Sequence, residues 1–237
     1  SPSSAASDVY KRQTKYVYDT KNRLVSYTDP EGRTETYTYD CNSNLTKTVD
    51  KNGNTLKNTY DNNNRLTERT AKEKKTGKET VHTYRYNAYG DVAVQDDTQF
   101  VYGDVSGQVT KETTKLTKNK DVVKNYTYDS NGNKSTFSVK AGEDTKLSLS
   151  YEYDGSSRLI SVKDSEGNRA VSYAYDTEGS LSERQAANGL KTTYGYDYQN
   201  RLTSMTNETG KGVVSKYSST YLKNGQKAEE VSTVMDK

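Results

Sequence analysis

The chain has 237 residues, 35 Lys and Arg against 32 Asp and Glu for a net charge of +3, 22 tyrosines, no tryptophan and a mean hydropathy of −1.12. Near-neutral charge leaves no basic footprint for nucleic acid, and it removes the high net charge that, together with few aliphatics, keeps a chain disordered. No window is long and apolar enough for a membrane-spanning helix, and two prolines with abundant Thr and Tyr point to an all-β fold.

Residues 1–15 read as a lead-in or partial repeat. From residue 16 a frame recurs, Tyr-x-Tyr-Asp-x-x-[Gly/Asn/Ser]-x-Leu. Its first copies are Tyr16-Val17-Tyr18-Asp19 with Leu24, Tyr37-Thr38-Tyr39-Asp40 with Leu45, and Asn58-Thr59-Tyr60-Asp61 with Leu66. The step from Asp19 to Asp40 to Asp61 is 21 residues each time. Weaker copies follow at Tyr84 to Asn87 and Phe100 to Gly103. Clear copies return at Tyr126-Thr127-Tyr128-Asp129, Tyr151-Glu152-Tyr153-Asp154 with Leu159, Tyr173-Ala174-Tyr175-Asp176 with Leu181, and Tyr194-Gly195-Tyr196-Asp197 with Leu202. Tyr217 to Leu222 is a last weak copy. A fixed period of this length means a stacked array. About ten repeats are expected over 16–225, with 226–237 a partial repeat and the array continuing in a parent protein.

Each repeat carries two turn signals. Three residues after the Asp stand Asn22, Ser43, Asn64, Gly132, Ser157, Gly179 and Asn200, of which Asn and Gly most readily take a left-handed backbone. Thirteen residues after the Asp comes Gly32, Gly53, Gly142, Gly167, Gly189 or Gly210. That glycine usually closes an Asx-x-x-Gly tetrapeptide, as at Asp29 to Gly32, Asp50 to Gly53, Asp164 to Gly167 and Asn207 to Gly210. Such a tetrapeptide suits a type I turn with the Asp side chain bonding the backbone ahead of it. The unit is therefore strand, turn, strand, turn, with strands of about six residues in antiparallel hairpins.

Within a strand the side chains alternate. Tyr37 and Tyr39 share one face, and Thr34, Thr36 and Thr38 share the other. The aromatic face is either a packed stack across neighbouring strands, with Tyr39→Ala costing roughly 3–5 kcal/mol on the scale of buried aromatics, or a strip that binds sugar or peptide. The stack is the expected reading, because an alternating strand must bury one face and tyrosines are its large side chains.

Two stretches break the register, Glu68 to Val81 and Leu116 to Val123, and both read as lengthened hairpins with lysine-rich tips. A charged tip is a solvated surface or an edge for an anionic partner. Cys41 is alone, so it forms no internal disulfide. His82 is the single histidine and lies in a Thr/Val/Tyr strand, away from any nucleophile or metal-ligand pattern. Asp129-Ser130-Asn131-Gly132-Asn133 starts like a calcium loop, but Lys134 and Lys140 stand where Gly and Glu are required, so it is a turn. No enzyme, cofactor or metal is expected.

The frame, as in Tyr173-Ala174-Tyr175-Asp176-Thr177-Glu178-Gly179-Ser180-Leu181, resembles the YD repeat of the RHS/YD-repeat proteins over about residues 16–225. The resemblance implies a long sheet of hairpins that coils into a hollow shell, found in bacterial polymorphic toxins, insecticidal toxin complexes, cell-wall-associated proteins and animal teneurins. In the toxins the shell encloses a C-terminal effector, and YD repeats are also credited with carbohydrate binding. It implies an extracellular or cell-surface place, and as partners the rest of the parent chain, an enclosed toxin domain or glycans. The Pro- and Trp-containing core motif of many such toxins has no counterpart here. Ten repeats are too few to close a shell, so part of a wall is expected, with open strand edges prone to edge-to-edge self-association.

Overall fold

The structure, a computed structural model, describes residues 13–117 and 120–235. Two compact units divide the chain, one ending at Phe100 and the other beginning at Val101. The described residues form strands and turns and contain no helix.

In the first unit β1 (Lys15–Tyr18), β2 (Leu24–Thr28), β3 (Thr34–Tyr39), β4 (Leu45–Val49), β5 (Thr55–Tyr60), β6 (Leu66–Lys72), β7 (Glu79–Tyr86) and β8 (Val92–Gln95) follow in order, and β9 (Thr98–Tyr102) leads out of it. Each strand pairs antiparallel with the next in the chain. The second unit continues the pattern with β10 (Val109–Thr117), β11 (Lys120–Tyr128), β12 (Lys134–Ala141), β13 (Asp144–Tyr153), β14 (Leu159–Lys163), β15 (Arg169–Tyr175), β16 (Leu181–Ala186), β17 (Lys191–Tyr196), β18 (Leu202–Thr209), β19 (Gly212–Tyr221) and β20 (Lys227–Val234). There too every strand pairs antiparallel with its successor. The lead-in before Gln13 and the tip at 118–119 lie outside the described residues.

The hairpins are closed by one local device used on both rims. At the Tyr-Asp turn, the Asp19 N–H donates to the Arg23 carbonyl at 2.9 Å, and the Asn22 N–H donates to the Asp19 carbonyl at 3.0 Å. Asn22 sits at φ 60. The Asp19 carboxylate accepts the N–H groups of Lys21 and Arg23 at 2.8 and 3.0 Å. At the opposite rim Asp29 accepts from Glu31 and Arg33 in the same way, and Gly32 at φ 79 takes the left-handed position. One extra residue on one strand shifts the register beside each Tyr-Asp turn, as between Thr38 and Tyr39. Ser43 and Ser157 also adopt positive φ, although serine is not a residue that favours it, because turn bonds from Ser43 to Asp40 and Ser157 to Asp154 impose it.

Two closures differ from the sequence expectation. The turn expected at Asn207 to Gly210 does not form: Asn207 pairs with Ser215 inside the ladder, Thr209 pairs with Gly212, and the chain reverses over Gly210 and Lys211. The left-handed residue there is Gly212, at φ 117, rather than Gly210. The cause is the Asn207 side chain, which accepts from the Thr192 hydroxyl at 2.8 Å, donates to the Ser215 hydroxyl at 2.9 Å and so holds the residue in the strand. Gly142 lies in a two-residue connection between Ala141 and Asp144, which pair directly.

Alternation between faces is clean in β3, where Thr34, Thr36 and Thr38 are exposed and Glu35, Tyr37 and Tyr39 are half-buried. Tyr37, Tyr39, Tyr173, Tyr175, Tyr194 and Tyr196 are all half-buried, short of the burial expected for a packed stack. Neighbouring strands cover each ring only in part, so the fold rests on lateral contacts more than on an apolar core. Val162 is the buried apolar residue among those described, and the buried polar ones are Asp29 and Asn58 in the first unit and Ser161, Thr192 and Ser215 in the second.

Candidate functional site: the tyrosine face

The second tyrosine of eight frames reaches back one repeat. The Tyr39 hydroxyl donates to the Leu24 carbonyl at 3.0 Å, and Tyr60 donates to Leu45 at 2.9 Å and Tyr86 to Leu66 at 2.7 Å. In the second unit Tyr128 donates to Val109, Tyr153 to Lys134, Tyr175 to Leu159, Tyr196 to Leu181 and Tyr221 to Leu202, at 2.8 to 2.9 Å. The residue five after the Asp, leucine in most copies and Lys134 after Asp129, opens a strand, so its carbonyl is fixed where the next tyrosine ends. Tyr16 and Tyr18 in β1 are 54% exposed. The first tyrosines pack laterally instead: Tyr16 lies 5.3 Å from Tyr27, and Tyr126 lies 5.1 Å from Phe137.

A residue that the sequence frame did not single out joins four of the turns to the same tyrosines. Arg23 donates from Nε to Asp19 Oδ2 at 2.7 Å and lies over the Tyr39 ring at 4.7 Å. Arg65 does this for Asp61 and Tyr86, Arg158 for Asp154 and Tyr175, and Arg201 for Asp197 and Tyr221, each 4.6 Å from the ring centre. Asn44 and Asn133 replace the arginine in other copies and bond Asp40 and Asp129 through Nδ2. The signal was present as a constant Asp-to-Arg spacing of four residues.

These donors hold the aspartates ionised. The Arg23 N–H and guanidinium keep the Asp19 carboxyl below the usual carboxylate range, and the Asn133 amide does the same for Asp129. Asp29, 4% exposed, is the extreme case. Burial pushes its carboxyl up, but the Arg33 N–H, the Arg33 guanidinium and Lys51 together outweigh burial and bring it down to about 2. Burial, with the Glu35 carboxylate beside it, pushes the Tyr37 phenol up to about 12.

The series of first tyrosines is broken in β5. Asn58 takes the place of the first tyrosine; its Nδ2 donates to the Leu45 carbonyl at 2.9 Å and its Oδ1 accepts from Arg69 Nε at 3.1 Å. Arg69 pairs across to His82, whose Nδ1 lies 2.8 Å from Asp96 Oδ2. Asp96 holds a left-handed turn at φ 51, and its other oxygen accepts the Thr83 N–H at 2.7 Å. Beside this row is a groove of about 560 Å³. No group of three or more metal-ligating side chains occurs among the described residues.

The remaining residues of the frame lie where the strands alternate. Leu159, Leu181 and Leu202 open β14, β16 and β18. Tyr151 and Tyr194 lie on the tyrosine face of β13 and β17, and Gly53, Gly167 and Gly189 hold left-handed turn positions. Cys41 is exposed in its turn.

The family model RHS Repeat matches residues 18–55 and 175–211. No curated protein matches the chain. Among solved structures, the chain superposes on the crystal structure of TcdB2-TccC3-Cdc42 with a TM-score of 0.76 at 12% identity, covering 98% of this chain and 13% of that one. On TcdB2-TccC3-TEV the TM-score is 0.73 at 12% identity, over 93% of this chain and 12% of that one. At this identity the likeness is one of fold, and the chain spans about an eighth of those chains.

Proposed function

We propose that the chain, two segments of which match the RHS Repeat model, is a wall segment of a larger secreted or cell-surface protein, part of a β-shell that in relatives encloses a C-terminal toxin. The observation that supports this reading most is the series of tyrosine hydroxyls bonded to the carbonyl one repeat back. Each copy commits its aromatic and cationic side chains to the neighbouring copy, as a wall requires and a catalytic cleft does not. Its partner is then the rest of its own parent chain. Every residue of β1 and β20 is exposed, which suits strands that pair further, in the parent chain or edge to edge with another copy. Electron microscopy of the parent protein tests this. A closed wall containing these strands around internal density supports the role, and an isolated arm outside any shell overturns it.

A surface-binding role has one observation in its favour. Tyr89 and Tyr198, at turn tips, are 93% and 91% exposed. Glycan-array binding that disappears in Tyr89→Ser and Tyr198→Ser would establish this role in place of a purely structural one.

A further inference from the structure

We propose that the first unit holds a binding groove for a small organic anion on its tyrosine face. Thr48, Leu56, Ala71 and Thr80 stand side by side on β4 to β7 and form the floor. The volume of about 560 Å³ falls within the range of small-molecule sites, roughly 300–1,000 Å³. The space is open because this row carries short side chains and the neighbouring frame position is Asn58 rather than tyrosine. The outer wall joins the Asp50 to Asn54 turn to the β6–β7 tip. The Lys74 N–H donates to Asn54 Oδ1 at 3.0 Å, and the Lys74 side chain lies over Gly53.

The uncommitted groups around this floor are donors. Arg69 uses Nε on Asn58, and its terminal nitrogens form no ion pair among the described residues. Lys78 Nζ and the hydroxyls of Thr48 and Thr80 have no hydrogen-bond or ion-pair partner among the described residues. The nearby acids keep their charge but already accept hydrogen bonds from the chain. Asp50 accepts the Asn52 and Asn54 N–H groups and the Asn54 amide, each at 2.8 Å. Glu73 accepts the Thr76 hydroxyl, and Asp96 is held by Thr83 and His82. Lys78 lines the groove, and Arg69 stands two residues along β6 from Ala71 on the same face. A ligand that meets both cations therefore has an organic body over Leu56 and Ala71 and a carboxylate or phosphate group for the cations. A guanidinium with its terminal fork free is suited to either oxyanion.

The site does not depend on the wall role, and it is tested on the chain as it stands. Calorimetric titration with citrate and with phenyl phosphate, at constant ionic strength set by chloride, is followed alongside the NMR signals of the His82 ring. Saturable binding of either one, with movement of the His82 signals, is expected, and the ligand that binds identifies carboxylate or phosphate as the preferred group. Arg69→Gln and Lys78→Gln are each expected to weaken binding about fivefold or more. Ala71→Leu is expected to weaken it with every cation intact, by filling the floor. Lys47→Gln, which removes an exposed lysine from the opposite face, should leave it unchanged. Absence of saturable binding by both compounds overturns the proposal. So does an equal effect of Lys47→Gln and Arg69→Gln, or full binding by Ala71→Leu, provided thermal melts show each variant folded.

Discussion

Tyr39 donates its hydroxyl to the carbonyl oxygen of Leu24, fifteen residues earlier, at 3.0 Å, and Arg23 covers the same ring. One side chain thus couples the turn of one repeat to the strand of the next. Tyr39→Phe should cost about 0.5–1.5 kcal/mol, the net worth of one hydrogen bond. Tyr39→Ala should cost more, yet less than the roughly 3–5 kcal/mol of a fully buried aromatic, because the ring is half-buried. Urea unfolding of the three proteins checks both, and equal midpoints for wild type and Tyr39→Phe would show that the bond contributes nothing.

Arg158 bonds Asp154 through Nε at 2.7 Å and lies 4.6 Å from the centre of the Tyr175 ring. Arg158→Lys keeps the charge but lacks the planar fork that serves carboxylate and ring together. It should therefore recover only part of the midpoint lost in Arg158→Ala, where the stacking alone is worth on the order of 0.5–1 kcal/mol. Complete rescue by lysine would show that charge alone matters at this position.

Asp29 produces a dependence on pH with a definite sign. Its folded-state carboxyl, at about 2, lies below the ordinary unfolded value near 3.9. Its contribution is therefore fully present above about pH 4 and is lost as pH falls toward 2. Asp29→Asn should be less stable than wild type at neutral pH, and the gap should narrow across that interval. A gap that stays constant from pH 7 to 2 would show that the carboxylate charge is not what Arg33 and Lys51 hold.

Gly32 and Gly53 occupy the same turn position, at φ 79 and 81, but differ in their surroundings. A Cβ at Gly32 meets nothing, whereas at Gly53 it meets the Lys74 side chain. Gly32→Ala should lose on the order of 1–2 kcal/mol from the backbone conformation alone. Gly53→Ala should lose more, and adding Lys74→Ala should remove the excess. Thermal melts of the single and double variants measure it; identical losses at the two glycines would mean that Lys74 yields freely.

Much of this architecture was legible in the chain itself. The 21-residue step, Asp at the head of each turn, a residue able to take positive φ three places on, and the Tyr-x-Tyr alternation are local properties. Turn chemistry and the two-residue period of a strand act within a few residues, so they determined the hairpins, their order and the tyrosine face. Contacts between repeats were decided elsewhere. Arg23 over Tyr39, the tyrosine bond to the Leu24 carbonyl and the His82 contact with Asp96 join residues 14 to 16 positions apart, and they exist only once the register sets which side chains stand opposite. Asn207 shows the competition directly: its local pattern specified a turn, but two cross-strand hydroxyl partners, Thr192 and Ser215, kept it in the ladder. The groove beside Asn58 has the same origin, since Thr48, Leu56, Ala71 and Thr80 are distant in the chain and become one floor through strand pairing, which no local propensity encodes.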